Sequence, residues 1–220
     1  MSKSKRKTRI VYQPPSPFLW KGRDSLELVY QLNERALTLL VEAARSGTSE
    51  WLSETAYRAL WSELTTEALQ TAARIPFVIL DARFTDDEWW REAAVSPQEF
   101  PLTVSGAPGW PGDVAQQLMS ETLVFAWHTA KWDRRLARGL LGMSPGVVGS
   151  IARLTPRELG LIPSRHWAAL RLRWEDEPGI WARLLTAAQE SDEEALAECH
   201  LHAQLLLSRI ARSSRLKCVT

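Results

Sequence analysis

The sequence repeats itself internally. A shift of 90 residues brings two segments into register without gaps. Leu64-Thr65-Thr66-Glu67-Ala68-Leu69 falls on Leu154-Thr155-Pro156-Arg157-Glu158-Leu159. Eighteen residues after each opening leucine, Ala82-Arg83-Phe84-Thr85-Asp86 falls on Leu172-Arg173-Trp174-Glu175-Asp176. Leu80 falls on Leu170, Phe77 on Trp167, Trp61 on Ile151 and Leu28 on Leu118. Few of these are identities. What recurs is the spacing of apolar, aromatic and Arg-acid positions, the mark of a repeated supersecondary unit. Between the copies, Val95 to Asp113 carries Pro97, Pro101, Gly106, Pro108, Gly109, Pro111 and Gly112. That density of turn formers reads as a linker, and its length is uncommon for a loop inside one compact domain. The chain therefore divides into a basic arm over 1–24, a first unit over 25–94, a linker over 95–113 and a second unit with a C-terminal helix over 114–220.

Apolar periodicity makes the fold class mainly α. Leu26, Val29, Leu32, Leu37, Leu40 and Val41 predict a helix from about Ser25 to Ala44, with Asp24 as its cap and Ser46-Gly47-Thr48 as its end. Helices around 49–62 and 65–74 follow, and Phe77-Val78-Ile79-Leu80 reads as a short extended run. In the second unit Val114 to Leu141 reads as one helix that breaks at Gly142. Ser144 then caps a helix with Pro145 at its first position, where the missing N–H costs nothing. Thr155, Pro156 and Glu158 spell a capping box. Three short helices between Leu136 and Ile162 make a helix-turn-helix-like segment. Trp167 to Trp174 alternates in part, a second short extended segment and a candidate to pair with the first. Asp192 to Arg212 is a long helix with the stripe Leu196, Cys199, Ala203, Leu206 and Ile210, acids in its first turn and Arg209 and Arg212 near its end.

Leu141-Gly142-Met143, Leu154-Thr155 thirteen residues on, and Leu172-Arg173-Trp174 eighteen beyond that form a series that resembles the FlhD family. FlhD is the helical subunit of the FlhD–FlhC flagellar transcription activator. Leu123 to Leu140 resembles that family's long first helix and Asp192 to Ile210 its last, so the resemblance covers about 115–212. The first unit keeps Leu64-Thr65 and Ala82-Arg83-Phe84, has Trp51-Leu52-Ser53 in place of Leu-Gly-apolar, and lacks the last helix. The resemblance implies a dimer fused into one polypeptide, in which fusion fixes the pairing by a high effective concentration. It implies a non-enzymatic subunit of a heteromeric bacterial transcriptional activator, for flagellar or conjugative-element genes, that supplies architecture and some DNA contact. The implied partners are an FlhC-like zinc-binding subunit and, through the complex, promoter DNA and RNA polymerase; self-association stays open. The alternative is an antiactivator or adaptor that never meets DNA.

Composition narrows the remaining classes. Hydrophobic residues make up 45% of 220, enough for a real core, and eleven tryptophans stand against three tyrosines. No stretch approaches the roughly 20 apolar residues of a membrane span. No apolar run follows the basic start, so a secretory signal is not expected. Two cysteines make no disulfide framework, which fits a reduced cytoplasmic protein, nucleoid-associated when on DNA. Gly-rich phosphate loops, nucleophile elbows and metalloprotease motifs are absent, so no catalysis and no cofactor are expected. Cys199, His200 and His202 lack the second pair of ligands that a structural zinc site needs.

The net charge of +1 conceals an asymmetry. Lys3, Lys5, Arg6, Lys7 and Arg9 crowd the arm, and setting those five aside leaves 22 bases against 26 acids. Such an arm suits phosphate contact or is a solvated tail. Arg134, Arg135 and Arg138 are candidates for holding phosphates. Ser150 and Arg153 are the side chains with which helix Pro145 to Arg153 would read bases, beside Gly146 and Gly149, a poor reading set. Three packed helices with no groove contact are the competing interpretation. Trp89, Trp90 and Trp110 flank or lie in the linker, and Leu206 and Ile210 lie on the last helix; all five are candidates for a partner surface. For the tryptophans the alternative is a clamp holding the linker to its own domain. If the arm touches phosphates, deleting residues 1–9 weakens DNA binding and flattens its salt dependence, whereas an unchanged slope removes the arm from the mechanism.

Overall fold

A computed structural model describes residues 22–47, 57–95 and 110–217. In chain order the elements are α1 (Gly22–Ser46), α2 (Tyr57–Ser62), α3 (Thr66–Ala73), β1 (Leu80–Asp81), α4 (Asp87–Val95), α5 (Gly112–Trp132), α6 (Arg134–Leu141), α7 (Pro145–Arg153) and α8 (Pro156–His166). A 3-10 turn (Trp167–Ala169), β2 (Arg171–Leu172), α9 (Pro178–Glu190) and α10 (Glu193–Lys217) complete the fold, which is mainly α. No helix among the described residues is long and apolar enough to cross a membrane.

Most helix starts follow from side-chain chemistry already visible in the sequence. The Thr65 hydroxyl accepts from the Ala68 amide, and Ser144 accepts from Val147. Thr155 and Glu158 close the capping box in both directions. Two expectations fail. Helix α1 begins at Gly22, so Asp24 lies inside its first turn and does not cap it. Val114 to Leu141 is two helices, because Asp133 is extended (φ −139°, ψ 103°) and its carboxylate accepts from the Arg135 and Leu136 amides. Apolar spacing runs through that break because Leu140 and Leu141 continue the buried face of α5. A short polar N-cap, rather than periodicity, carried the signal. Most of the helix expected around 49–62 and most of the linker lie outside the described residues.

The two extended runs do pair. Strands β1 and β2 are antiparallel, with Leu80 opposite Leu172 and Asp81 opposite Arg171. This pairing corrects the register of the repeat. Caps Thr65 and Thr155 are 90 residues apart, but from the strands onward the offset is 91. Trp90 donates its indole N–H to the Ala82 carbonyl at 2.9 Å, and Trp181 donates to Arg173 at 2.8 Å. Arg83 and Trp174 both turn the chain with positive φ, 54° and 56°. The amides of Asp86 and Glu177 each close that turn at 3.0 Å. The structural counterpart of Arg173 is therefore Ala82, not Arg83. One extra residue in the second copy is absorbed near its 3-10 turn.

Pairing the strands interlocks the copies about a pseudo-two-fold axis. The helix after each strand crosses to the other unit, so that α4 packs on α7 while α9 packs on α2 and α3. Rings seal the crossing: Trp61 lies 5.7 Å from Trp181, Phe77 5.6 Å from Trp174 and Trp89 5.5 Å from His166, centroid to centroid. Buried residues of both units form one continuous core. Within the first unit, buried Asn33 donates to the carbonyls of Ala73, Ile75 and Phe77 and accepts from the Ile79 amide, which fixes the irregular run into β1.

Gly142 explains the Leu-Gly-apolar series. It ends α6 at φ +60°, and a Cβ there would stand 2.4 Å from Leu207 Cδ1 of α10. Gly139, in the same helix, faces open space. Gly142→Ala is expected to cost about 1–3 kcal/mol through backbone strain and overpacking. Gly139→Ala should stabilise by about 0.5–1 kcal/mol. Urea unfolding of the two variants checks both signs.

Candidate nucleic-acid interface

The second unit gathers cations at two corners. Helix α5 ends in Lys131 and Trp132, Asp133 redirects the chain, and α6 opens with Arg134 and Arg135. Lys131 Nζ lies 4.0 Å from the centroid of the Trp127 ring, a cation–π contact. The same indole donates its N–H to the Leu154 carbonyl at 2.8 Å. That bond pins the turn between α7 and α8, which Arg153 and Arg157 flank, against α5. Lys131, Arg134, Arg135, Arg153 and Arg157 are exposed, and Arg138 is half-buried. None of the six forms an ion pair among the described residues.

The acids of this region are occupied in capping. Asp133 satisfies the start of α6, and Glu158 accepts from the Thr155 amide and hydroxyl, both at 2.8 Å. Those bonds hold the Glu158 carboxyl below its usual range. His128 stacks edge-on against Trp127, and burial, then Lys131, lowers its affinity for a proton. Trp132 is 65% exposed, the largest such fraction among the large apolar side chains described. Cations interleaved with an exposed aromatic can neutralise phosphates and stack on or wedge beside bases.

Other candidates fare differently. Ser150 is only 4% exposed, so it faces the core and cannot read bases. The N-terminal end of α7 is also occupied. The Ser144 hydroxyl donates to the Asp87 carboxylate and the Ser144 amide to the Phe84 carbonyl at 2.9 Å. A Cβ on Gly146 would fall 2.0 Å from Asp87 Oδ1. A recognition helix enters the major groove with its N-terminal residues. Here an acid of the other unit sits at that end.

Trp89, Trp90 and Trp110 are buried, not displayed. Trp89 lies between Trp90 and His166 with Arg83 above its ring. Near-continuous burial at the helix crossing, which no local pattern records, took these rings inside. Leu206 is half-buried and its neighbour Leu207 is buried, so the packed stripe of α10 runs through Leu196, Ala203 and Leu207. The Ile210 side chain and the arm residues Lys3, Lys5, Arg6, Lys7 and Arg9 lie outside the described residues. His202 Nδ1 faces Arg183 Nη2 at 3.0 Å, a cation where a metal would stand. No group of three metal-ligating side chains occurs among the described residues. Lys131, Trp132 and Arg157 were missed in the sequence; the run Lys131-Trp132-Asp133-Arg134-Arg135 held the signal once Asp133 is read as a cap.

No protein-family model, curated protein or solved structure matches this chain.

His166 closes the crossing between the units from beneath Trp89. Burial, and then the neighbouring Arg165, lower its pKa to about 4. The folded state therefore holds His166 neutral where the unfolded chain would protonate it near pH 6.5. No stability is lost to this group above pH 6.5, and the loss grows as pH falls toward 4, to about 3 kcal/mol at most. Urea unfolding at pH 7 and pH 4.5 should show a smaller acid loss for His166→Gln than for the native chain.

Proposed function

We propose that this chain is a subunit of a heteromeric bacterial transcriptional regulator that supplies architecture and phosphate contact, with base reading delegated to a partner. The observation that carries this is the set of exposed, unpaired cations around Trp132, on one half of an interlocked tandem dimer. The tandem arrangement is what the FlhD resemblance implies, and an FlhC-like zinc-binding subunit is the partner that resemblance supplies. Exposed cations contribute sequence-independent affinity, and the occupied end of α7 leaves specificity to another chain.

A second interpretation, an adaptor or antiactivator that never meets DNA, is favoured by Asp87 at the N-terminal end of α7. Purifying the complex with a neighbouring Cys-rich gene product and titrating it with promoter DNA across salt separates the two. Under the first interpretation Arg134→Glu with Arg135→Glu lowers affinity at least tenfold at about 0.1 M salt and reduces the salt slope by about two. A complex that forms but ignores DNA, or variants with unchanged affinity and slope, would establish the second.

A further inference from the structure

Helix α10 is apolar on two opposite sides. Leu196, Ala203 and Leu207 face the core. On the reverse side Leu201 and Leu205 are 59% and 54% exposed, one turn apart. They belong to a longer series. Glu194, Glu198, Leu201, Leu205 and Ser208 are spaced four, three, four and three residues apart, and all five are exposed. Arg212 stands at the next position of the same helical register. Alternating steps of three and four residues keep a seam on one face of a helix, the pattern of paired helices.

The order along the seam is acid, acid, leucine, leucine, serine, arginine. Turned end for end about the midpoint of Leu201 and Leu205, it complements itself. Leu201 meets Leu205, Glu198 meets Ser208 and Glu194 meets Arg212 of the opposing helix. A parallel pairing would instead set acid on acid at one end and arginine on arginine at the other. Glu194 and Glu198 form no ion pair among the described residues.

We infer that α10 is a self-association surface that pairs two copies of this chain through an antiparallel, isologous helix contact. Such symmetry matches residue i with residue j and j with i, as the seam requires. The helix is about 37 Å long, and its seam has two leucine layers flanked by polar ones. A seam with two leucine layers is a small contact, so reversible association is expected within about 1 to 200 µM. This surface is independent of the cations around Trp132.

Sedimentation equilibrium of the full chain from about 1 to 200 µM tests the inference, at the concentrations that a micromolar constant brings into play. A monomer–dimer equilibrium is expected; a monomer throughout overturns the proposal. Leu201→Glu with Leu205→Glu should weaken association at least about 100-fold without lowering the melting temperature, since both side chains are exposed. Glu194→Arg with Glu198→Arg should weaken self-association, as should Arg212→Glu. An equimolar mixture of these two charge variants should form a one-to-one dimer. Charge variants that associate like the native chain, or a mixture that stays monomeric, would overturn the antiparallel pairing.

Discussion

The guanidinium of Arg173, just past the end of β2, serves three groups at once, two in the first unit and one at the end of α6. Its Nε donates to the Val78 carbonyl at 2.9 Å and its Nη2 to the Leu141 carbonyl at 2.6 Å, with the Asp81 carboxylate 3.6 Å away. Its backbone amide donates to Ile79 at 2.8 Å. Burial works against this charge and Asp81 works for it. Two strands of two residues each cannot hold a fold together unaided. A planar fork that satisfies carbonyls on β1's approach and at the end of α6 makes that junction rigid, which a lysine's single ammonium would not do. Everything downstream depends on it, because the chain leaves this point to send α9 across to the other unit.

From that junction the interlock follows. Two residues after each strand comes a left-handed residue, Arg83 or Trp174, and each turn is locked by an indole reaching eight residues back. The turns aim α4 and α9 in opposite directions, so each unit is roofed by a helix of the other. A single chain thereby acquires the geometry of an exchanged dimer. The asymmetry is equally informative. Only the second copy carries α10 beyond its crossing helix among the described residues, and only it gathers the cations around Trp132. Duplication left the frame in common and let the surfaces diverge.

Much of the frame was legible in the sequence, and the reasons are local. Thr65, Ser144 and Thr155 act through bonds to residues three away, and Gly142 through its own left-handed backbone, so their types and spacing suffice to place them. The apolar runs at Phe77 and Trp167 marked the strands because a buried pair needs few residues. Register was not legible. An alignment without gaps set Arg83 on Arg173, while the 3-10 turn after α8 shifts the frame by one and buries Arg173 opposite an alanine position. The fates of Trp89, Trp90 and Ser150 were hidden for another reason. Their burial depends on α4 meeting α7, a contact between segments about sixty residues apart. Of the candidate interface, Arg134, Arg135 and Arg153 could be named from type alone; Lys131 needed Asp133 to be read as a cap, and Arg157 the bond that holds the turn between α7 and α8 on α5.

The two repeats should unfold as one cooperative body hinged on Arg173. Native-state hydrogen exchange measures it most directly, through the amides of Val78 and Ile79 in the first unit and of Ser144 and Arg173 in the second. All four should open with the same free energy, that of global unfolding, and Arg173→Ala should lower all four by the same amount. Protection that falls into two levels, one for each repeat, or an Arg173→Ala variant in which only the second unit loosens, would contradict it.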